Sequence, residues 1–248
     1  MIEISDELTQ NYKAFAEKFP LDLAKNAKLL SGQKALLESY ARVASLNVLK
    51  IDLVSVHFPA GAAQFVFEAH NDALLSHVNA SVGSWRPALQ SLRSFMENCL
   101  AAVYYLDHPV EYSKWEAGSF RIAPRELRVY AAEHPKVEKL SKELGLKVEL
   151  DSEYSTLSKA VHGSNSLFRM TSVEGKTNIA KASLPELGKW SSRERSTVNL
   201  CAVILVGILQ DHLEGAKQQQ VRTALAVSIN QKGRDALKKH CGVLIPNP

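Results

Sequence analysis

Cysteine is scarce in this chain and scattered, with only Cys99, Cys201 and Cys241 in 248 residues. There is no Cys-x-x-Cys pair and no Cys/His cluster with metal-ligand spacing. That argues against a disulfide framework or a zinc module and for a reduced, cytoplasmic protein. Also missing are the glycine-rich phosphate loops of NTPases and dinucleotide enzymes, the G-x-S-x-G of hydrolases and the H-E-x-x-H of metalloproteases. No cofactor is expected from such a sequence. The opening Met-Ile-Glu-Ile-Ser-Asp-Glu is acidic and lacks the basic start and apolar run of a secretory signal. The longest apolar run, Val198 to Leu209, reaches about half of the roughly 20 residues that span a bilayer. Arg193-Glu194-Arg195 and Gln210-Asp211-His212 bound it, so it reads as a buried core helix and no membrane partner is expected.

Charge is present in ordinary amount but is unevenly placed. The net charge is +4, and six basic residues stand against Asp235 alone from Lys217 onward. These six, Lys217, Arg222, Lys232, Arg234, Lys238 and Lys239, are the candidate nucleic-acid contacts. A basic stretch can follow phosphates or be no more than a solvated helix face.

Helical periodicity dominates the rest. Ser5-Asp6-Glu7 is a helix start, followed by Leu8, Tyr12, Phe15 and Phe19 at spacings of three to four. Pro20 is expected to interrupt that helix, and a long amphipathic segment follows over 21–56. Further helices are expected over 62–82, from Ser84 to Leu106, over 124–133, 136–144, 187–214 and 218–241. Alternation of apolar and polar residues around Glu174-Gly175-Lys176 predicts a β-hairpin near 167–180. The expected architecture is all-α: a single helical-bundle domain with that one small hairpin. It divides into N-terminal helices (1–59), a core (60–170) and a hairpin with C-terminal helices (171–248).

One stretch combines polar chemistry with helical spacing: Tyr154-Ser-Thr-Leu-Ser158-Lys-Ala-Val-His162-Gly163. Positions four apart share a helix face, so phenol, hydroxyl and imidazole form a column, with glycine ending the helix. Arg93 and Glu97 are likewise four apart within an apolar helix. If the two helices pack together, Arg93, Glu97, Tyr154, Ser158 and His162 make one polar cluster. Such a cluster can hold a histidine for acid/base chemistry, or it can pin two core helices as a structural network. His70 and His77, with Glu68 and Asp72 nearby, are a weaker pattern that reads as a solvated face; no metal is expected.

Three segments together resemble a group of bacterial helical proteins of the HEPN-like (higher eukaryotes and prokaryotes nucleotide-binding) class. They are Leu92-Arg93-Ser-Phe-Met-Glu97, Ala102-Val-Tyr-Tyr-Leu-Asp107-His-Pro, and Tyr154-x-x-Leu157-Ser158-x-x-x-His162-Gly163. The resemblance covers about residues 60–170 and implies an all-helical core. It also implies an effector in phage-defence or toxin loci that binds or cleaves RNA without metal, acting as a homodimer. Such ribonucleases carry Arg, then four to six residues, then His. No arginine stands at that distance before His162. Arg128 to His134 has the spacing but is followed by Val129 and Pro135, whereas Arg234 to His240, with Asp235 after the arginine, is the better alternative pair. The other reading is a non-enzymatic sensing or interaction module that meets a regulatory protein of the same locus.

Overall fold

A computed structural model describes residues 5–162, 170–171, 175, 177–213 and 218–248. Helix α1 (Asp6–Leu30) begins as expected at Ser5, whose hydroxyl accepts the Leu8 N–H at 3.3 Å. Pro20 does not break it. The proline and Ala16 are both solvent-exposed, so the carbonyl that loses its partner can turn to water instead. The helix stops at Ser31-Gly32, and of its residues only Leu30 is buried. Asn26 Nδ2 donates to the Val82 carbonyl at 3.2 Å and ties the base of α1 to the body.

Helix α2 (Lys34–Leu49) continues through a π-helical turn (Lys50–Val54) into the short α3 (Ser55–His57). Helices α4 (Ala60–Ser81) and α5 (Trp85–Asp107) form the most extensive pairing in the molecule. Gly83 joins them with φ of 76°, a left-handed conformation that favours glycine. A Cβ there would sit 2.5 Å from the Lys181 carbonyl oxygen. That carbonyl accepts from Trp85 Nε1 at 2.9 Å, and Lys181 N–H donates to Gly83 O at 3.0 Å. Residues 179–182 are thereby latched across the α4–α5 turn.

Proline and glycine cut the middle into α6 (Pro109–Glu116), α7 (Pro124–Glu133), α8 (Glu138–Leu144) and α9 (Leu146–Val161). Helix α10 (Leu184–Ile208) is capped by Ser183, and its run from Leu200 to Ile208 is wholly buried, as a core helix should be. α11 (Gln210–Leu213), α12 (Gln219–Leu225) and α13 (Gln231–Cys241) close the chain. The single C-terminal helix expected over 218–241 is two, because the chain leaves α12 before Asn230 caps α13 through the Gly233 N–H at 2.8 Å.

The fold is therefore all-α, but the hairpin expectation is not supported. Among the described residues of 167–180 there is no strand, only an isolated antiparallel bridge between Thr171 and Thr177. Residues 167–169, 172–174 and 176 lie outside the described residues. Among the described residues no neighbouring strand extends that single pair into a sheet.

Buried apolar side chains from α2, α4, α5, α9, α10, α12 and α13 form one core cluster. Polar joints also cross it. Ser76 donates to the Ala88 carbonyl (2.8 Å) and accepts from Trp190 Nε1 (3.1 Å), linking α4, α5 and α10. Ser228 donates to Ser45 at 3.0 Å. Arg42 on α2 meets Glu194 on α10 through Nε at 2.8 Å and Nη2 at 2.6 Å. All three cysteines are free and buried. Among the described residues, no helix is long and apolar enough to cross a membrane.

Candidate functional site

Helix α9 lies against α5, and the polar column expected from the sequence falls along their seam. Tyr154 is its centre. The phenol donates to Glu97 Oε1 at 2.7 Å and accepts from Arg93 Nη2 at 2.7 Å. Arg93 Nε in turn donates to Glu97 at 3.0 Å, which closes a three-membered network. Burial, then the hydrogen bond and charge of Glu97, push the Tyr154 phenol above its ordinary value, so it stays a donor. Burial works against the Arg93 cation, yet the charge of Glu97 and the contact with Tyr154 raise it overall.

Spacing alone did not point to Arg128 as a member of this cluster. Its guanidinium stacks 4.0 Å from the Tyr154 ring centre and its Nε donates to Asp151 at 2.6 Å. Two guanidinium groups therefore lie close to the Tyr154 ring, since Arg93 is 5.0 Å from the same centre. The pairing of Arg128 with His134 does not occur. His134 turns the other way, its Nε2 facing Asp107 at 2.9 Å while its Nδ1 accepts the Lys136 N–H at 3.1 Å. That second bond places the ring proton on Nε2. Tyr130 donates to the same Asp107 oxygen at 2.7 Å. These groups border a groove of about 710 Å³ lined by Tyr104, Phe120, Tyr130 and His134.

The other half of the column is less engaged. Ser158 Oγ is buried with no hydrogen-bond partner among the described residues. His162 caps the C-terminal end of α9 and is exposed; Gly163 lies outside the described residues. Arg86, at the start of α5, donates through Nε (3.0 Å) and Nη2 to the carbonyl of Val161. An arginine absent from the sequence before His162 is therefore supplied in space, next to its backbone. Beyond the seam, Asp72 accepts from Asn98 Nδ2 at 2.8 Å. Burial raises its carboxyl to about 6, opposed by Asn98 and reinforced by Glu68 and Glu97.

The alternative pair Arg234/His240 is not brought together. Arg234 Nη1 donates to the carbonyls of Ala226 (3.2 Å) and Ile229 (2.5 Å), whereas His240 meets Glu143 at 2.5 Å. Six residues along a helix turn the two side chains to different faces. Much of the basic tail is engaged in the same way: Arg222 donates to Leu244 O at 3.1 Å and Lys239 to Glu143 at 2.6 Å. Lys232 and Lys238 are exposed, and Lys217 lies outside the described residues. Arg42, Arg195, Lys232 and Arg234 do share a cleft of about 740 Å³, where Arg195 pairs with Glu38 at 2.9 Å. His70 and His77 diverge, toward Lys50 (3.4 Å) and Ser39 (3.2 Å) respectively. Among the described residues no group of three or more His, Cys, Asp or Glu side chains is gathered for a metal.

Compared with family models, with curated proteins and with solved structures, the chain finds no match.

Proposed function

We propose that this chain is a non-enzymatic helical interaction module, with the α5–α9 seam acting as the pin that fixes its shape. The observation that carries this reading is the closed Arg93–Glu97–Tyr154 triangle. Each of these polar groups already bonds another, leaving the phenol without a free role in acid/base chemistry. Basic residues of the tail that bond to carbonyls and Glu143 offer little continuous charge to a phosphate backbone. The HEPN-like resemblance then supplies the helical frame rather than the activity.

A second reading has one specific observation in its favour, the bond from Arg86 to the Val161 carbonyl, one residue before the exposed His162. A metal-independent RNA-cleaving effector needs a base, an acid and a cation near one phosphate, and this end of the seam offers an imidazole and a guanidinium. Incubating the purified chain with end-labelled RNA separates the two readings. The interaction-module reading expects intact RNA. RNA cleavage that disappears in His162→Ala or His240→Ala, each still folded by circular dichroism, would overturn it.

A further inference from the structure

Among the described residues, two apolar faces of this chain are left largely bare. Helix α1 carries Leu8, Tyr12, Phe15, Phe19 and Leu23 along one stripe, which continues into Asn26 and the buried Leu30. The face that touches the body at its base is therefore the face left bare toward its tip. Tyr12 is 68% exposed, Leu8 and Phe15 are more than half exposed, and the Phe15 and Phe19 rings stack at 5.3 Å. The second face runs along α2 and α4. Leu37 (70% exposed) and Tyr40 project from α2 and Ile51 from the π-helical turn that continues it, and Phe67, Leu74 and Val78 project from α4. Tyr40 lies 6.0 Å from the His77 ring, and Ser39 is hydrogen-bonded to His77, so the two stripes are adjacent.

The geometry points to an arm-exchanged dimer, in which α1 of each copy lies on the α2/α4 face of the other. This inference rests on the interaction-module reading and names its partner as a second copy of the chain. Lengths match: at 1.5 Å per residue, Leu8 to Leu23 spans about 22 Å, and Leu37 to Ile51 about 21 Å. Area also matches. Nine of these side chains are exposed, and at about 100 Å² each they give about 900 Å² per arm and face. A two-fold axis makes the contact twice, on the order of 1,800 Å², the size of a stable interface. Antiparallel arms related by such an axis leave neither face over, so the assembly stops at two. One helix laid along the groove of two others is also the packing by which amphipathic helices are recognised.

The test is light scattering and sedimentation on the full chain up to about 100 µM, since interfaces of this size reach µM affinity or tighter. The parent chain is expected to be a dimer. Phe15→Glu on the arm and Tyr40→Glu on the face each place a charge in the apolar contact and should weaken it about 100-fold or more. An equimolar mixture of these two variants retains one intact arm and one intact face, so it should recover heterodimers that neither variant forms alone. Melting curves check that each exposed-site variant folds like the parent. A monomeric parent at about 100 µM would overturn the proposal. So would a Tyr40→Glu dimer as strong as the parent, because arms then pair only with arms. Neither result bears on whether RNA is cut, so failure of the dimer and failure of the interaction reading are distinguishable.

Discussion

The ion pair between Arg42 and Glu194 should behave asymmetrically under mutation. Their side chains are only 5% and 3% exposed, so both charges have lost most of their water. Burial pushes the Glu194 carboxyl above its ordinary value even though Arg42 and Ser39 pull it down. Desolvation thus outweighs the attraction as seen by the acid. Glu194→Gln leaves a buried guanidinium with no counter-charge, which costs about 3–5 kcal/mol. In a domain of this length each kcal/mol moves Tm by about 2–4 °C, so a fall of about 6–20 °C is expected. Replacing both partners at once, Arg42→Met with Glu194→Leu, removes the two desolvation costs together. The double variant should then lie within about 1 kcal/mol of the parent, or above it. Urea denaturation of the parent, both single variants and the double variant completes the cycle. If the double variant is as unstable as either single one, or Glu194→Gln costs under about 1 kcal/mol, the desolvation reasoning fails.

Four further variants probe other parts of the fold. Asp72 has a folded value of about 6 against an ordinary 3.8, so the stability it lends below about pH 4 is lost as pH rises through 6. Asp72→Asn should therefore stabilise by about 1–2 kcal/mol at neutral pH, after discounting for its half-exposed position. That gain should shrink toward zero near pH 4 when urea midpoints are compared. Tyr154→Phe removes the phenol's hydrogen bonds to two charged groups but leaves Arg93 and Glu97 paired, for an expected loss of about 1–2 kcal/mol by the same measurement. Gly83→Ala should cost about 2–3 kcal/mol through its left-handed backbone and the clash with Lys181. Gly188→Ala, in α10 with nothing within 4 Å of the new Cβ, should instead be neutral or raise Tm.

Local signals were readable in the sequence wherever a residue acts on its own neighbours. Ser5, Pro124 and the apolar run ending at Leu209 mark ends and interiors correctly because capping, ring geometry and burial are short-range effects. The meeting of Arg93 and Glu97 with Tyr154 was readable too, as two polar spacings on otherwise apolar helices. Pro20 misled, because its cost depends on whether the orphaned carbonyl meets water, and that is set by the whole fold. Arg128 and His134 looked like partners by spacing, yet each found a closer long-range partner, Tyr154 and Asp107. Arg42 and Glu194 are 152 positions apart, and Arg86 reaches Val161 across 75; no local pattern announces either. The basic tail left two readings open, phosphate track or solvated face, because a sequence counts charges and cannot show which carbonyls they bond.

The proline inside α1 gives that helix two thermodynamic compartments. One backbone hydrogen bond is missing where residue 20 should donate to residue 16, just outside the segment that Asn26 and Leu30 secure to the body. The outer turns can therefore melt and re-form with little effect on the inner ones, at a free energy well below that of global unfolding. In amide hydrogen exchange, 6–19 would form a fast unit and 21–30 a slower one. An arm whose outer turns open by themselves can re-form on a new surface without the core ever having to open.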